Sequence, residues 1–236
     1  MKLLPLIDIL KKPYLVQQYK DQPEHAITTH SDLVCAAFFD PHIARVIESR
    51  LEDDTNYTFA KQQMTSPLPW SLNLYAISHT NVSDPRVNDS INSVGATLSD
   101  GQIIYHGSTD IPRTIFTAPL TTRPLSTTLS PAVAINELIH DSKAYNAERY
   151  VIYILTVKDP KTNVFVYPDS GAPVELPIDA DPDSSTMFGM NELEILFASG
   201  ACVIVDTEKK IGYATAYHHS KASKEVPVYI CQGTIS

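Results

Sequence analysis

The chain has 236 residues and a mass of 26.1 kDa, enough for one large domain or for a catalytic domain with a small helical extension. This length excludes a peptide hormone or a disulfide-stapled mini-protein. Its 18 Lys and Arg against 27 Asp and Glu leave a formal charge of −9, which repels phosphate backbones and argues against nucleic acid as the main partner. Only 8 glycines are present, and neither GxxxxGK[ST] nor GxGxxG occurs, so P-loop and Rossmann folds are disfavoured.

The N-terminus and the cysteines bear on location. The apolar run at the start of the chain is interrupted by Pro5 and Asp8, so it is too short for the central region of a signal peptide. No run approaches the roughly 18 apolar residues that span a membrane. We therefore expect a protein that is cytoplasmic on synthesis and has no membrane partner, with export that needs no cleavable signal still open. Cys35, Cys202 and Cys231 lie far apart among apolar neighbours, which favours buried structural thiols.

The first hundred residues are predicted to form a helical subdomain. A short buried helix begins near Ser31 and continues through LVCAAFF. Asp40 and Pro41 then form an N-cap and a first helical position ahead of HIARVIESRLEDD. A third helix is predicted from Asp84 to Leu98, again with Asp-Pro at its start.

From residue 101 to residue 236 the pattern becomes mostly extended. β-Branched and aromatic runs recur between prolines and polar clusters. The runs are QIIYHG, RYVIYILTV, NVFVY, LEILF, ACVIVD, IGYATAY and VPVYICQ. One clear helix, over 130–145, begins with a Ser130 cap and Pro131. The fold class predicted is α+β, with helices leading into a mainly antiparallel sheet.

The first motif is Tyr105-His106-Gly107, at the end of the QIIYHG strand. A histidine there can hydrogen-bond a sugar hydroxyl or act as an acid or base, and a following glycine lets a ligand approach the backbone. The alternative is a solvated turn histidine.

The second motif is Ser126-Thr127-Thr128, an extended hydroxyl triplet just before the helix that Pro131 begins. Hydroxyls can hydrogen-bond a sugar or hold a carboxylate in place without adding charge. The alternative is an ordinary helix start, for which the Ser130 cap already suffices.

The third motif is Glu192-Leu193-Glu194, which opens the apolar LEILF strand. Period-two alternation places both carboxylates on one face. Like charges so close raise one pKa and favour an acid/base or charge-stabilising role. The alternative is a solvated strand edge.

In this order, the three motifs resemble those of the mono-ADP-ribosyltransferase superfamily, which includes bacterial toxins and effectors and phage enzymes. The resemblance covers about residues 101 to 235 and implies a mainly antiparallel, two-sheet catalytic core that binds NAD as co-substrate. The sequence is similar to the Arg-Ser-Glu branch, with His106 in place of the first Arg. Since histidine lacks the planar fork of a guanidinium, Arg113 or Arg123 is a candidate for holding the NAD pyrophosphate.

The resemblance also implies roles for individual residues. Glu194 matches the catalytic residue, which stabilises the cationic ribose, and Glu192 matches the residue that orients or deprotonates the acceptor. The NAD-binding positions it implies are Tyr105, His106, Gly107, Ser126 and Thr127.

A loop over 179–190 corresponds to the family's acceptor-recognising loop. Met187 and Phe188 are expected there as exposed residues, with Phe188 stacking on the target; a plain surface loop is the alternative. His218 and His219 are expected to point to opposite faces of a strand and so not to share an ion, and we assign no metal.

The function implied is transfer of ADP-ribose from NAD to a target protein, a host protein among the candidates, by a toxin, an effector or a phage-encoded enzyme delivered into a host cell. Two alternatives stay open. One is an NAD glycohydrolase, in which water replaces the acceptor. The other is a catalytically silent binding module, suggested by the missing first arginine.

Overall fold

The computed structural model describes residues 2–16, 25–64, 66–78, 82–109, 120–176, 187–189 and 193–236. The first part carries two short strands and five helices: β1 (Tyr14–Val16), β2 (His25–Ile27), α1 (His30–Phe39), α2 (Pro41–Glu52), α3 (Thr55–Gln62), α4 (Trp70–Ile77) and α5 (Asp84–Val94). The second part carries β3 (Ile103–Ser108), β4 (Leu125–Thr128), α6 (Pro131–Ile139), α7 (Lys143–Ala147), β5 (Tyr150–Val157), β6 (Val164–Val166), β7 (Glu194–Phe197), β8 (Val203–His218) and β9 (Lys221–Ile235).

The three predicted N-terminal helices are confirmed as α1, α2 and α5, but α5 ends at Val94 instead of the predicted Leu98, because Gly95 is extended and Ala96 bridges to Val164. The Asp40 carboxylate caps α2 by accepting from the His42 backbone N–H, as the Asp-Pro start predicted. Helix α1 starts one residue before the predicted position and is capped by Thr29.

The predicted helix over 130–145 is broken in two. Asp141 and Ser142 have φ of 52° and 58°, in the left-handed region that ends a helix. Helix α6 therefore stops at Ile139, and the short α7 follows a single 3₁₀ turn. Ser130 occupies the cap position, but its side chain makes no cap hydrogen bond.

The main sheet has seven strands in the order β6-β7-β4-β3-β5-β9-β8. Neighbouring strands in this sheet pair antiparallel, except β5 and β9, which pair parallel. The two runs ACVIVD and IGYATAY, predicted separately, lie in the single strand β8, which contains register shifts. Strands β1 and β2 form a separate two-stranded ribbon.

The expected two-sheet core is present only in part. Strands β6, β7 and β4 form one block, and β3, β5, β9 and β8 form another. The blocks are joined at one register pair, Tyr105 with Thr128. The hydrogen bonding is thus that of one sheet with a narrow junction, and this junction brings the end of β3 beside β4.

One hydrophobic core joins the helices to the sheet. It includes Leu4, Ile47 and Leu72 from the first part and Ile152 from β5. The fully buried Gln102 amide ties the N-terminal segment to β3, because its Nε2 donates to the Ile7 carbonyl and its Oε1 accepts from the Ile7 N–H. Of the helices in the described ranges, none is long and apolar enough to cross a membrane.

Candidate active site

His106, near the end of β3, is bonded to the neighbouring strand β4. Its Nδ1 lies 2.7 Å from the backbone carbonyl oxygen of Ser126. Because a carbonyl only accepts, Nδ1 must carry the proton. Burial lowers the pKa of His106, so the ring is neutral near pH 7. Its Nε2 then presents a lone pair that can accept a hydrogen bond from a hydroxyl.

Glu194 is a buried carboxylate at the start of β7. It is only 7% exposed and lies opposite Thr128 in the β4–β7 register. Residues that pair directly share a face, and so does the diagonal neighbour two positions along. Ser126 therefore lies on the same face as Glu194. Thr128 also pairs with Tyr105, so it connects Glu194 to β3, the strand that holds His106.

The backbone just before Glu194 is held in an unusual conformation. Leu193 has a φ of 51°, which a branched residue adopts at a cost. The Thr128 hydroxyl donates to the Leu193 carbonyl over 3.0 Å, and it accepts from the Ser130 N–H. These bonds fix the turn, and the turn fixes where the carboxylate of Glu194 enters the strand.

Helix α4 brings Tyr75 to this carboxylate. Burial, and then the negative charge of Glu194, raise the pKa of Tyr75, while the positive charge of Arg123 opposes them. The Arg123 Nε donates to the Asp84 carboxylate over 3.1 Å. Arg123 is 55% exposed, so its guanidinium is accessible, whereas the Glu194 carboxylate is buried.

Sequence reasoning missed Tyr75 altogether. The residue lies in a segment with no predicted element, and 119 positions separate it from Glu194 in the chain. No sequence signal could have identified it, because its proximity to the carboxylate comes from tertiary packing alone.

Two of the predicted NAD-binding residues, Tyr105 and Thr127, are buried and bonded within the protein. Tyr105 is fully buried, and its hydroxyl contacts His30 Nδ1 at 2.5 Å; as the neighbour of His106 in the strand, it points to the opposite face. The Thr127 hydroxyl is buried and donates to the Ile195 carbonyl. We therefore assign Tyr105 to the core and Thr127 to the β4–β7 pairing.

The packing of a helix explains why position 107 is a glycine. A Cβ at this position would lie 2.2 Å from the Ala134 carbonyl oxygen. Helix α6 therefore needs a glycine there in order to approach β3, whether or not a ligand comes near the backbone.

The loop before Glu194 differs from its prediction where it can be described. Phe188, expected to be exposed, is 2% exposed and stacks on Tyr167 with ring centroids 5.5 Å apart. The expectation was wrong because an aromatic partner on the chain itself covers this ring. Met187 is exposed, as expected. Glu192, Arg113 and residues 179–186 lie outside the described residues.

The two adjacent histidines also differ from expectation. The rings of His218 and His219 stack with centroids 4.4 Å apart instead of pointing to opposite faces. Strand β8 ends at His218, so the alternation that separates neighbours no longer applies to His219. Within the described part of the chain, no group of three His, Cys, Asp or Glu side chains could hold a metal ion.

Of the cysteines, Cys231 is buried, as predicted, and Cys35 and Cys202 are partly buried. All three are free thiols. Burial raises the pKa of Cys231 to about 12, so this thiol is protonated and unreactive near neutral pH.

The chain matches no known protein-family profile and no curated protein sequence. Among solved structures, it is similar to the ADP-ribosyltransferase Vis in complex with agmatine, with 11% identity and a TM-score of 0.39 over 91% of this chain and 88% of that chain. The Vis toxin comes from Vibrio splendidus.

Two further similar structures are of toxins. The C. perfringens binary-enterotoxin component BECa, an ADP-ribosylating toxin solved with NADH, has 12% identity and a TM-score of 0.32 over 95% of this chain and 55% of that chain. The C3larvin toxin of Paenibacillus larvae, an ADP-ribosyltransferase, has 11% identity and a TM-score of 0.30 over 80% and 86%.

Proposed function

We propose that the protein transfers ADP-ribose from NAD to a side chain of a target protein and releases nicotinamide. The observation that carries the proposal is that β4 joins a neutral, strand-held His106, bonded to the Ser126 carbonyl, to a buried Glu194 carboxylate, whose residue pairs with Thr128. An uncharged acceptor, a carboxylate and the Ser126 hydroxyl on adjacent strands suit a substrate that has sugar hydroxyls and develops positive charge.

The chemistry begins with cleavage of the bond between ribose C1′ and the nicotinamide nitrogen. The electron pair leaves with nicotinamide, which becomes neutral, and the ribose becomes an oxocarbenium-like cation. A carboxylate beside the ribose stabilises that cation more than the ground state, which is the condition for catalysis. Glu194 supplies this charge, and its burial strengthens the interaction because little water screens it.

We assign binding of the ribose to His106 and Ser126. The Nε2 lone pair of His106 accepts from a ribose hydroxyl, because Nδ1 is already committed to the Ser126 carbonyl. Ser126 is the accessible member of the hydroxyl triplet, since Thr127 and Thr128 are buried. Its hydroxyl can both accept from the sugar and donate to the carboxylate.

Arg123 is our candidate for the NAD pyrophosphate. Its guanidinium is half exposed, precedes β4 and acts on Tyr75, which in turn lies near Glu194. A guanidinium binds phosphate oxygens through a planar fork of donors. Arg123 Nε donates to Asp84, and Asp84 would share or yield this side chain when NAD binds.

The acceptor half of the reaction rests on the family resemblance. Glu192 would orient or deprotonate the acceptor side chain, whose nucleophilic atom then bonds to C1′ and gives its proton to a base. The partner is a target protein, including a host protein if the enzyme is a toxin or effector delivered into a cell. Nucleic acid is disfavoured by the charge of −9.

Incubation with NAD labelled in its adenylate half, with and without a cell-extract protein mixture, tests the proposal. We expect protein-bound label that is lost in Glu194→Ala. Free ADP-ribose formed at the same rate with and without protein would identify a glycohydrolase instead. No NAD binding in calorimetry at millimolar ligand would point to the silent binding module.

A further inference from the structure

Two neighbouring helices hold the residues that lead into β4. Helix α4 supplies Tyr75, whose hydroxyl donates to the Pro124 carbonyl in a long bond of 3.5 Å. Helix α5 supplies Asp84, whose carboxylate accepts from Arg123 Nε over 3.1 Å. Two consecutive residues, Arg123 and Pro124, are therefore held from the helical part of the chain just before β4 begins.

Helix α4 is itself held by other bonds, which gives Tyr75 a defined position. Leu72 is fully buried, and its carbonyl accepts from the Tyr167 hydroxyl over 2.9 Å. The hydroxyls of Ser71 and Ser90 lie 2.6 Å apart and join α4 to α5. These contacts involve the turn of α4 that precedes Tyr75, so the helix that carries the tyrosine does not depend on its hydroxyl for its place.

The Tyr75 hydroxyl can serve two partners at once. A phenol has one proton to donate and an oxygen that can still accept, and the proton goes to the Pro124 carbonyl, because a carbonyl only accepts. Burial, and then the charge of Glu194, raise the pKa of Tyr75, while the charge of Arg123 and a hydrogen bond with its side chain oppose them. The hydroxyl therefore stays protonated near neutral pH and has a lone pair to offer the guanidinium.

The guanidinium of Arg123 has donors for more than one partner. An arginine side chain carries five N–H donors in a fixed planar fork and has no acceptor. The Nε donor is used on Asp84, which leaves the donors on the two terminal nitrogens. A fork that Tyr75 holds at one of these positions can still present the others to phosphate oxygens.

Asp84 and Tyr75 differ in how they would respond to a bound pyrophosphate. The Asp84 carboxylate is negative, so a phosphate on the same guanidinium would be repelled by it. The Tyr75 hydroxyl is neutral and accepts from a guanidinium without adding like charge. Of these two partners, the tyrosine is therefore the one that can keep hold of Arg123 while a phosphate is bound.

We propose that Tyr75 is a positioning residue for Arg123, and that it keeps the guanidinium directed at the NAD pyrophosphate when Asp84 yields it. The inference rests on the proposed function, because Arg123 is our candidate for binding that group. It adds a residue that acts through Arg123 and does not itself touch NAD, and it gives helix α4 a part in NAD binding.

The affinity for NAD, measured by calorimetry, tests this role. Tyr75→Phe keeps the ring and removes the hydroxyl, and we expect it to weaken NAD binding about fivefold, the effect of one hydrogen bond. Asp84→Asn should have the opposite sign or no effect. Because Tyr75 acts through Arg123, adding Tyr75→Phe to Arg123→Gln should change the affinity by less than about twofold. In nicotinamide release, Tyr75→Phe should raise KM and change kcat by less than about twofold.

Tyr167→Phe is the matched control, because it removes a hydroxyl that bonds to the backbone of the same helix and leaves Tyr75 in place. It should change NAD affinity by less than about twofold, since the positioning hydroxyl is still present. A second readout needs no NAD: the rotation of the Arg123 guanidinium, measured by NMR and assigned by the loss of its signals in Arg123→Gln. This rotation should be about fivefold faster in Tyr75→Phe and unchanged in Tyr167→Phe.

Unchanged NAD affinity in Tyr75→Phe, with binding weakened in Arg123→Gln, would overturn the positioning role and leave the proposed function standing. An equal loss in Tyr167→Phe would also overturn it, because loosening of α4 would then suffice. So would a full further loss when Tyr75→Phe is added to Arg123→Gln, which would mean that Tyr75 binds NAD itself. If the wild-type protein does not bind NAD, the proposed function fails and this inference fails with it.

Discussion

His106 donates through Nδ1 to the backbone carbonyl of Ser126, which fixes the tautomer of a histidine that burial keeps neutral. The bond joins β3 to β4 at the narrow junction of the two strand blocks and leaves Nε2 as the acceptor of the ring. In our proposal this lone pair accepts from a ribose hydroxyl, which a protonated ring could not do.

The first prediction separates these two uses of His106. In His106→Ala both the strand bond and the ligand contact are lost, and we expect NAD affinity to fall at least tenfold. In His106→Asn the side-chain amide can still donate to the Ser126 carbonyl, so stability should be nearer to that of the wild-type protein while NAD affinity stays low. Calorimetry with NAD and urea unfolding measure the two effects. Equal NAD affinity in all three proteins would contradict the assignment.

The second prediction concerns the pair of Arg123 and Asp84. Arg123→Gln should weaken NAD binding about tenfold, because it removes the cation we assign to the pyrophosphate. Asp84→Asn breaks the same ion pair and keeps the guanidinium, so NAD binding should be retained or strengthened. Both variants should change the free energy of unfolding by less than about 1 kcal/mol, since a half-exposed pair contributes little. Equal losses of NAD affinity in both would show that the ion pair itself matters.

The third prediction tests the packing at Gly107. In Gly107→Ala the new Cβ would meet the Ala134 carbonyl oxygen at 2.2 Å, so α6 or β3 must shift, at a cost of about 1–3 kcal/mol. Gly189→Ala is the matched control, because no atom lies within 4 Å of the added Cβ. The midpoint of urea unfolding measures both. An unchanged midpoint in Gly107→Ala would mean that the glycine is not required for helix packing.

The fourth prediction concerns pH. Burial lowers the pKa of His30 and of His106, so between the lowered value and about 6.5 the unfolded chain binds more protons than the folded one. The free energy of unfolding should therefore fall as the pH drops below about 6.5. In His30→Asn the fall should be smaller. Urea unfolding at pH 7.5, 6.5 and 5.5 measures it, and an equal fall in both proteins would contradict this account of His30.

Much of the fold could be predicted because local signals agree with it. The Asp40 cap and the proline after it mark α2, and the extended runs correspond to strands. Helix α4 could not be predicted, since it follows Pro69 and has no side-chain cap. The length of β8 could not be predicted either, because a register shift between Lys210 and Gly212 interrupts the strand alternation.

For the candidate site, too, the sequence predicts some features and not others. The motifs identified His106, Ser126 and Glu194, which lie on the three adjacent strands β3, β4 and β7. The burial of Tyr105 and Phe188 could not be read from the motifs, because tertiary partners decide which aromatic side chains are covered. The role of Tyr75 depends on how α4 packs, and that is a property of the whole fold.

In our proposal the negative charge of Glu194 stabilises the ribose cation, and nicotinamide release from NAD by Glu194→Gln tests this role most directly. The amide keeps the size of the side chain and removes its charge. We predict a rate about 10²–10³-fold lower than that of the wild-type protein, with Glu52→Gln, an exposed glutamate on α2, unchanged. A Glu194→Gln rate within a few-fold of the wild-type rate would contradict the claim.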